Sequence, residues 1–152
     1  MDEPARNILK AFERLGSSRL RAADLVMAEP AAAPEAVSAS IALLLDEGCL
    51  REVGGQYERT EMGRLEAAGP LNLTLLARPG CHLCELALQG LAPVAAKFGT
   101  DLRQVDVDTD RKLRERYGNN IPVVFLGHQE VARHRVDPRQ LLRDLSKVKQ
   151  SL

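Results

Sequence analysis

The sequence predicts two domains: an α+β domain of three helices and a hairpin over residues 1–69, then an α/β domain with a mixed four-stranded sheet over residues 70–152. Two observations predict this division. Up to residue 48, apolar residues recur at helical spacing, and two short strand-like segments then flank a pair of glycines. After residue 70, apolar strands alternate with helical segments, which is the order typical of an α/β domain.

Composition limits the classes of function. Apolar residues make up 45% of the 152 residues and charged residues 28%, which is ordinary for a globular protein and too charged for a membrane span. The N-terminus MDEPARNILK lacks the basic and apolar regions of a secretory signal. Three cysteines do not make a disulfide framework of the secreted kind. We therefore expect a cytoplasmic protein without a membrane partner.

Three helices are predicted in the first domain. The first ends at Gly16 and rests on four apolar residues at helical spacing, Ile8, Leu9, Phe12 and Leu15. The second is predicted over residues 20–28, with Ser17 or Ser18 as its N-cap. The third begins at Pro34. The segments CLREV and QYERT, joined by a Gly-Gly turn, then predict a hairpin.

This order of elements resembles a winged helix-turn-helix domain. The resemblance rests on the segment GQYERTEMGRLEAAG, whose matching residues are Tyr57, Thr60 and Gly63. In DNA-binding members of that class the third helix enters the major groove, where basic side chains neutralise phosphates. Here that helix, PEAVSASIALLLDEG, holds three acidic residues and no Lys or Arg, so DNA binding is not expected. The domain is predicted to bind a protein partner or to form a homodimer.

The two domains also differ in charge. Residues 1–69 hold 8 Lys and Arg against 12 Asp and Glu, whereas residues 70–152 hold 13 against 9. The formal charges are therefore −4 and +4. Opposite charges favour either docking of the two halves or pairing between chains.

The second domain shows the element order β-α-β-α-β-β-α. Its predicted strands are LNLTLLA, DLRQVDV, IPVVFLG and QEVARHRV, and its predicted helices are CELALQGLAPVAAKF, DRKLRERYG and DPRQLLRDLSKVK. The order predicts a mixed sheet with helices on both faces. Pro93 is expected to bend or break the first of these helices. Asp108 or Thr109 is predicted to cap the second.

Two of the three cysteines, Cys81 and Cys84, lie between the first strand and the first helix of this domain, in RPGCHLCE. The pair is open to three interpretations: a redox dithiol, half of a metal site, or two buried structural residues. No metal site is predicted, because Cys49, His128 and His134 offer no second close pair of ligands. A helix N-terminus stabilises a thiolate, which favours a dithiol with Cys81 as nucleophile and Cys84 as the resolving thiol.

The second domain resembles the glutaredoxin-like proteins of the thioredoxin superfamily over residues 71–148. The resemblance rests on RPGCHLCE after the first strand, the acidic strand end VDVD, and NNIPVVFLG. It implies a thioredoxin-like α/β fold, thiol-disulfide oxidoreductase activity without a bound cofactor, and catalytic Cys81 and Cys84. It also implies a cis peptide bond at Ile121-Pro122 that faces the cysteine pair. The predicted substrate-binding residues are Arg78, His82, Ile121 and Pro122, although Arg78 could equally be a solvated charge at the strand end.

One departure concerns glutathione. Glutaredoxins usually follow the Pro strand with Gly-Gly and an acidic residue that hold glutathione, and the corresponding stretch GHQEVARHRVDP has no Gly-Gly. Glutathione as co-substrate is therefore in doubt, even if Asp137 has a partial role. The leading hypothesis is a thiol-disulfide oxidoreductase that acts on a disulfide-bearing protein or a small thiol. The alternatives are a redox-sensing regulator, whose winged helix binds a protein according to the oxidation state of the pair, and an inactive interaction scaffold.

Overall fold

The computed structural model describes residues 1–152 as seven α-helices and six β-strands, divided into the units Met1–Ala67 and Ala68–Leu152. The first unit contains α1 (Glu3–Arg14), α2 (Ala22–Ala28), α3 (Pro34–Asp46), β1 (Leu50–Val53), β2 (Gln56–Arg59) and α4 (Glu61–Glu66). The second contains β3 (Leu73–Ala77), α5 (His82–Phe98), β4 (Leu102–Asp106), α6 (Arg111–Tyr117), β5 (Val123–Leu126), β6 (Gln129–Arg133) and α7 (Pro138–Ser151). None of these helices has both the length and the apolar character needed to cross a bilayer.

The first unit has the predicted order of three helices and a hairpin. Helix α1 begins after Asp2, whose carboxylate accepts a hydrogen bond of 3.0 Å from the N–H of Ala5. It packs against α3 and buries one apolar stripe, Ala5, Ile8, Leu9 and Phe12. Strands β1 and β2 form an antiparallel pair. The assignment of this unit to the winged-helix class stays a prediction.

Helix α2 starts later than predicted, and neither Ser17 nor Ser18 caps it. The backbone of Leu20 pairs instead with that of Tyr57, through hydrogen bonds of 3.0 Å and 2.7 Å. Residues in that extended bridge cannot also form the first helical turn. The helix therefore begins at Ala22. The backbone N–H of the N-cap residue Arg21 donates to the carboxylate of Asp24 at 2.9 Å.

Helix α4 follows the hairpin and was not predicted. Thr60 caps it: the hydroxyl oxygen accepts a hydrogen bond of 3.1 Å from the N–H of Gly63 and donates to the carbonyl of Gly48 at 2.5 Å. The missing side chain of Gly63 lets the helix lie directly on the carbonyl group of Cys49, since a Cβ atom there would clash with that group. Cys49 itself is buried, as expected for a core residue.

The sheet of the second unit is mixed and has the strand order β4-β3-β5-β6. Strand β4 runs parallel to β3, and Ala77 at the end of β3 lies opposite Asp106 at the end of β4. Strand β5 is antiparallel to both β3 and β6. All five residues of β3 are buried, as expected for the centre of a sheet covered on both faces. The predicted four-stranded mixed sheet is confirmed.

Helices cover both faces of this sheet. One face of the sheet packs against α5 and α7. The core between them consists of every second residue of the strands together with buried helix residues, and it includes Leu73, Leu75, Cys84, Leu91, Val124, Leu126, Leu141 and Leu145. The other face carries α6, where the ring of Tyr117 meets that of Phe125 edge to face at 5.3 Å between centroids. Successive side chains of β5 point to opposite faces of the sheet, so Val124 packs in the core with α5 and α7 while Phe125 contacts α6.

The predicted cap of α6 is wrong, and of the two outcomes predicted for Pro93, a bend or a break, the break does not occur. Helix α5 is not broken at Pro93, because that residue lies on the exposed side while its neighbours Val94 and Ala95 are held in the core. Water can satisfy the carbonyl group that Pro93 leaves without a donor. Helix α6 is capped by Asp110, whose carboxylate accepts a hydrogen bond of 3.0 Å from the N–H of Leu113. The preceding residues form a short 3-10 turn instead.

Candidate active site

A tight turn carries the chain from β3 to α5. The N–H of Cys81 donates to the carbonyl of Arg78 at 3.2 Å, and Gly80 has φ of 77°. A type II turn requires a positive φ at its third position and commonly has Pro at its second, and Gly80 and Pro79 supply these. The segment Arg-Pro-Gly therefore places Cys81 at the N-cap of α5.

The two cysteines form a disulfide with their Cα atoms 5.2 Å apart. Cys84 is buried in the core, with 3% of its surface exposed, whereas Cys81 is half-buried at the helix start. The N–H of Cys84 donates to Sγ of Cys81 at 3.2 Å. In the reduced state, this N–H and the helix dipole favour a negative charge on Cys81. The geometry thus gives the two sulfurs different surroundings.

His82 lies on the outer surface of α5. Its side chain is 79% exposed, and Nδ1 lies 3.8 Å from Oε2 of Glu85, which is itself mostly exposed. The side chain thus has a surface carboxylate as its neighbour. The predicted role of His82 in substrate binding stays a prediction.

The Ile121-Pro122 peptide bond is cis, which confirms the expectation from the glutaredoxin-like resemblance. Ile121 and Cys81 are both partly buried against the core cluster that contains Cys84. The carbonyl of Pro122 accepts a hydrogen bond of 2.7 Å from the N–H of His134. His134 has φ of 65°, a left-handed conformation that few residues other than glycine adopt. The substrate-binding roles of Ile121 and Pro122 stay predictions.

Arg78 has partners within the protein. Its guanidinium donates two hydrogen bonds to Asp108, from Nε at 2.7 Å and from Nη2 at 2.9 Å, and a longer one from Nη1 to the carbonyl of Gly118 at 3.4 Å. These hydrogen bonds lower the pKa of the Asp108 carboxyl and raise the pKa of Arg78. The predicted role of Arg78 in substrate binding stays a prediction.

The sequence contains an indication of this ion pair. Strands β3 and β4 are parallel, so their carboxyl ends meet at the same edge of the sheet. Arg78 is the first residue after β3, and Asp108 follows two residues after β4. Opposite charges at these positions point to a contact. The strained backbone of His134, by contrast, has no clear indication in the sequence.

Asp137, the acidic residue after β6, caps the last helix. Its carboxylate accepts hydrogen bonds from the N–H groups of Arg139 at 3.0 Å and Gln140 at 3.4 Å. The same residue lines a pocket of about 260 Å³ between β6 and the start of α7. No cluster of three or more His, Cys, Asp or Glu side chains in the structure is arranged to hold a metal ion.

Comparison with known proteins agrees with this geometry. Residues 72–146 match the family described as Glutaredoxin-like domain (DUF836). An uncharacterised protein of Mycobacterium tuberculosis is 32% identical over 78 residues, which are 48% of this chain and 80% of that protein. A glutaredoxin-like protein of Dictyostelium discoideum is 27% identical over 84 residues, which are 51% of this chain and 78% of that protein.

The fold of the second unit agrees with these matches. Its mixed sheet β4-β3-β5-β6 fits a thioredoxin-like α/β fold. The bonded pair of Cys81 and Cys84 is compatible with redox activity. Through its second unit, the chain therefore belongs to the glutaredoxin-like domain family.

Proposed function

We propose that the protein is a thiol-disulfide oxidoreductase whose dithiol is Cys81 and Cys84. The observation that carries the proposal is the disulfide at the start of α5, in which a half-buried sulfur follows a tight turn and a buried one completes the bond. A buried pair with only a structural role would not need a half-exposed sulfur at a helix N-terminus. Thiols of this kind exchange in a reducing compartment, which supports the cytoplasm as the proposed location.

Reduction of a substrate disulfide proceeds in two exchange steps. The Cys81 thiolate attacks one substrate sulfur, forms a mixed disulfide, and releases the other substrate sulfur as a thiolate that takes up a proton. The Cys84 thiolate then attacks Sγ of Cys81, which closes the Cys81–Cys84 disulfide and releases the second substrate thiol. Two electrons pass from the dithiol to the substrate. The burial of Cys84 beneath Cys81 supports its role in the second step.

Three residues around the pair are proposed to contact the substrate: His82, Ile121 and Pro122. The guanidinium of Arg78 already binds Asp108, so a contact of that group with the substrate is not proposed. The cis bond before β5 and the packing of Ile121 against the core cluster that includes Cys84 support binding of an extended peptide or thiol along this segment. We propose that the substrate is a disulfide-bearing protein or a small thiol compound.

No bound organic cofactor is needed, because the electrons are carried by the cysteines. To restore the dithiol, either two equivalents of a monothiol such as glutathione or one protein dithiol must reduce the disulfide. The segment after β5 lacks Gly-Gly, and Asp137 already caps a helix, which together favour a protein dithiol as reductant. Equilibration of the pair with glutathione buffers, followed by alkylation and mass measurement, gives the potential that decides which reductant is competent.

The activity test uses three single variants and a small aromatic disulfide as substrate. Cys81→Ser is expected to abolish reduction of the substrate, since it removes the attacking sulfur. Cys84→Ser is expected to accumulate a mixed disulfide on Cys81, which mass spectrometry detects. Cys49→Ser is the matched control, because Cys49 is a buried cysteine of the other unit. If the wild type and Cys81→Ser were equally slow, the proposal would be wrong.

For the first unit we propose a role in protein partner binding or homodimerisation through a winged-helix-like module. The absence of Lys and Arg from α3 argues against DNA as the partner. Met27 on α2 and Leu43 on α3 are 80% and 40% exposed and offer apolar surface that a protein partner would cover. Light scattering of the whole chain decides whether it dimerises.

The second candidate is a redox-sensing regulator in which the oxidation state of the pair changes what the first unit binds. The regulator is favoured because the unit that carries the redox dithiol is joined to a second compact unit, Met1–Ala67. A pulldown with reduced and oxidised protein separates the two functions. Identical partners in both states would exclude the regulator.

A further inference from the structure

Arg78 connects three segments of the second unit. Its backbone begins the type II turn that ends at Cys81. Its guanidinium binds Asp108, just after β4, with two hydrogen bonds, and reaches the carbonyl of Gly118 at the end of α6. Gly118 lies four residues before Pro122, in the segment that leads to the cis peptide bond.

We propose that Arg78 is a positioning residue for disulfide exchange, which fixes the turn carrying Cys81 relative to the segment carrying the cis bond at Pro122. This inference rests on the proposed oxidoreductase function, because those two segments are the ones that a substrate disulfide would contact. It replaces a role for Arg78 as a free cation that binds substrate or stabilises the thiolate.

The hydrogen bonds of Arg78 explain why it does not act as a free cation. Two of its donors point to the carboxylate of Asp108 in the bidentate geometry that guanidinium groups prefer. The Asp108 carboxylate offsets the charge of the guanidinium, so the field of the pair is weaker than that of a lone cation. Because the pKa of Asp108 is lowered by its hydrogen bond to Arg78, the pair remains ionised at neutral pH.

Exchange between sulfurs depends on alignment. The attacking sulfur must approach along the axis of the bond that breaks, and a misplacement of about 1 Å can cost on the order of 100-fold in rate. Only Pro79 and Gly80 lie between Arg78, whose side chain is anchored, and Cys81, and the turn is closed by one hydrogen bond of 3.2 Å. A shift at Arg78 is therefore transmitted to the nucleophile.

The ion pair is a weak contributor to overall stability. The side chains of Arg78 and Asp108 are each 39% exposed, and exposed pairs of this kind contribute little to the free energy of unfolding. A positioning role can thus be separated from a general structural one. Variants should keep the melting temperature and lose rate.

The experiment compares Asp108→Asn, Arg78→Gln and the double variant in the whole chain. It measures the rate of reduction of an aromatic disulfide, the pH dependence of Cys81 alkylation, and the melting temperature. Each single variant is expected to lower the rate roughly 10-fold, and the double variant no further, because the two residues act as one unit. The pH midpoint of alkylation and the melting temperature stay close to the wild type.

Two further variants complete the test. Arg78→Lys, which keeps the charge and loses the bidentate contact, is expected to recover only part of the rate. Glu115→Gln breaks the exposed ion pair with Arg111 on α6, where the two groups are 3.0 Å apart, and is expected to leave the rate unchanged. This control shows the effect of losing an exposed pair that does not touch the turn.

Several outcomes would overturn the proposal. If Asp108→Asn raised the rate and moved the alkylation midpoint to lower pH, Arg78 would be a cation acting on the thiolate. Unchanged rates in both single variants, beside an active wild type, would exclude positioning while leaving the oxidoreductase function intact. A wild type as slow as Cys81→Ser would overturn both inferences. A lower melting temperature that accounts for the loss of rate would make Arg78 a structural residue only.

Discussion

Reduction of the Cys81–Cys84 disulfide is expected to destabilise the second unit by roughly 1 to 2 kcal/mol. The cysteines are three residues apart, and a loop this short restricts the unfolded chain by about 2 kcal/mol at 25 °C. The reduced state recovers about 0.3–1 kcal/mol from a thiolate at the N-terminus of α5. The difference corresponds to a fall in melting temperature of roughly 5 to 15 °C for a unit of this size.

The measurement is scanning calorimetry of the whole chain, oxidised and then reduced with a phosphine, together with hydrogen exchange in β3. The free energies are linked: a stability difference of 1 to 2 kcal/mol makes the folded pair about 20 to 40 mV more reducing than the same pair in the unfolded chain. Cys84→Ser is the control, since it cannot form the bond and should respond to the reductant in neither measurement. Equal stability of the oxidised and reduced wild type would contradict the reasoning.

Three further predictions concern single residues. Gly63→Ala is expected to lose about 1–3 kcal/mol in urea unfolding despite the better helix propensity of alanine, because its Cβ would meet the carbonyl group of Cys49. Asp110→Ala is expected to lose about 1–2 kcal/mol with the cap of α6, and Asp110→Asn much less, in the same assay. The pKa of the Glu58 carboxyl is lowered by hydrogen bonds from Arg51 and Arg19. The stabilising contribution of ionised Glu58 is complete above its ordinary pKa of 4.5 and is lost as pH falls towards the lower pKa of the folded state. Glu58→Gln should therefore flatten the curve of stability against pH only in that acid range.

Much of the fold follows from local patterns. The apolar segment LNLTLLA and the alternation of strands with helices predict the mixed sheet with helices on both faces, and the structure confirms it. The cis bond at Pro122 is predicted by the family resemblance and not by propensity, since few X-Pro bonds are cis. These features depend on residues that are close in sequence or on a motif held at fixed spacing.

The errors arise where distant segments compete for the same backbone. Leu20 pairs with Tyr57, which delays α2, and the packing of Val94 keeps α5 continuous through Pro93. Neither effect is contained in a window of neighbouring residues. The partner of Arg78 is a similar case, because the contact requires the strand order of the sheet before the charges can be matched.

The burial of Cys84 decides which sulfur an outside reagent meets. With 3% of its surface exposed, Cys84 is closed to peroxide, to free thiols and to alkylating agents while the fold is intact. Adducts and irreversible oxidation are therefore expected on Cys81 alone. The protected sulfur of Cys84 can attack a mixed disulfide on Cys81 and release the bound thiol. Burial of Cys84 therefore keeps this reversal of thiol adducts available.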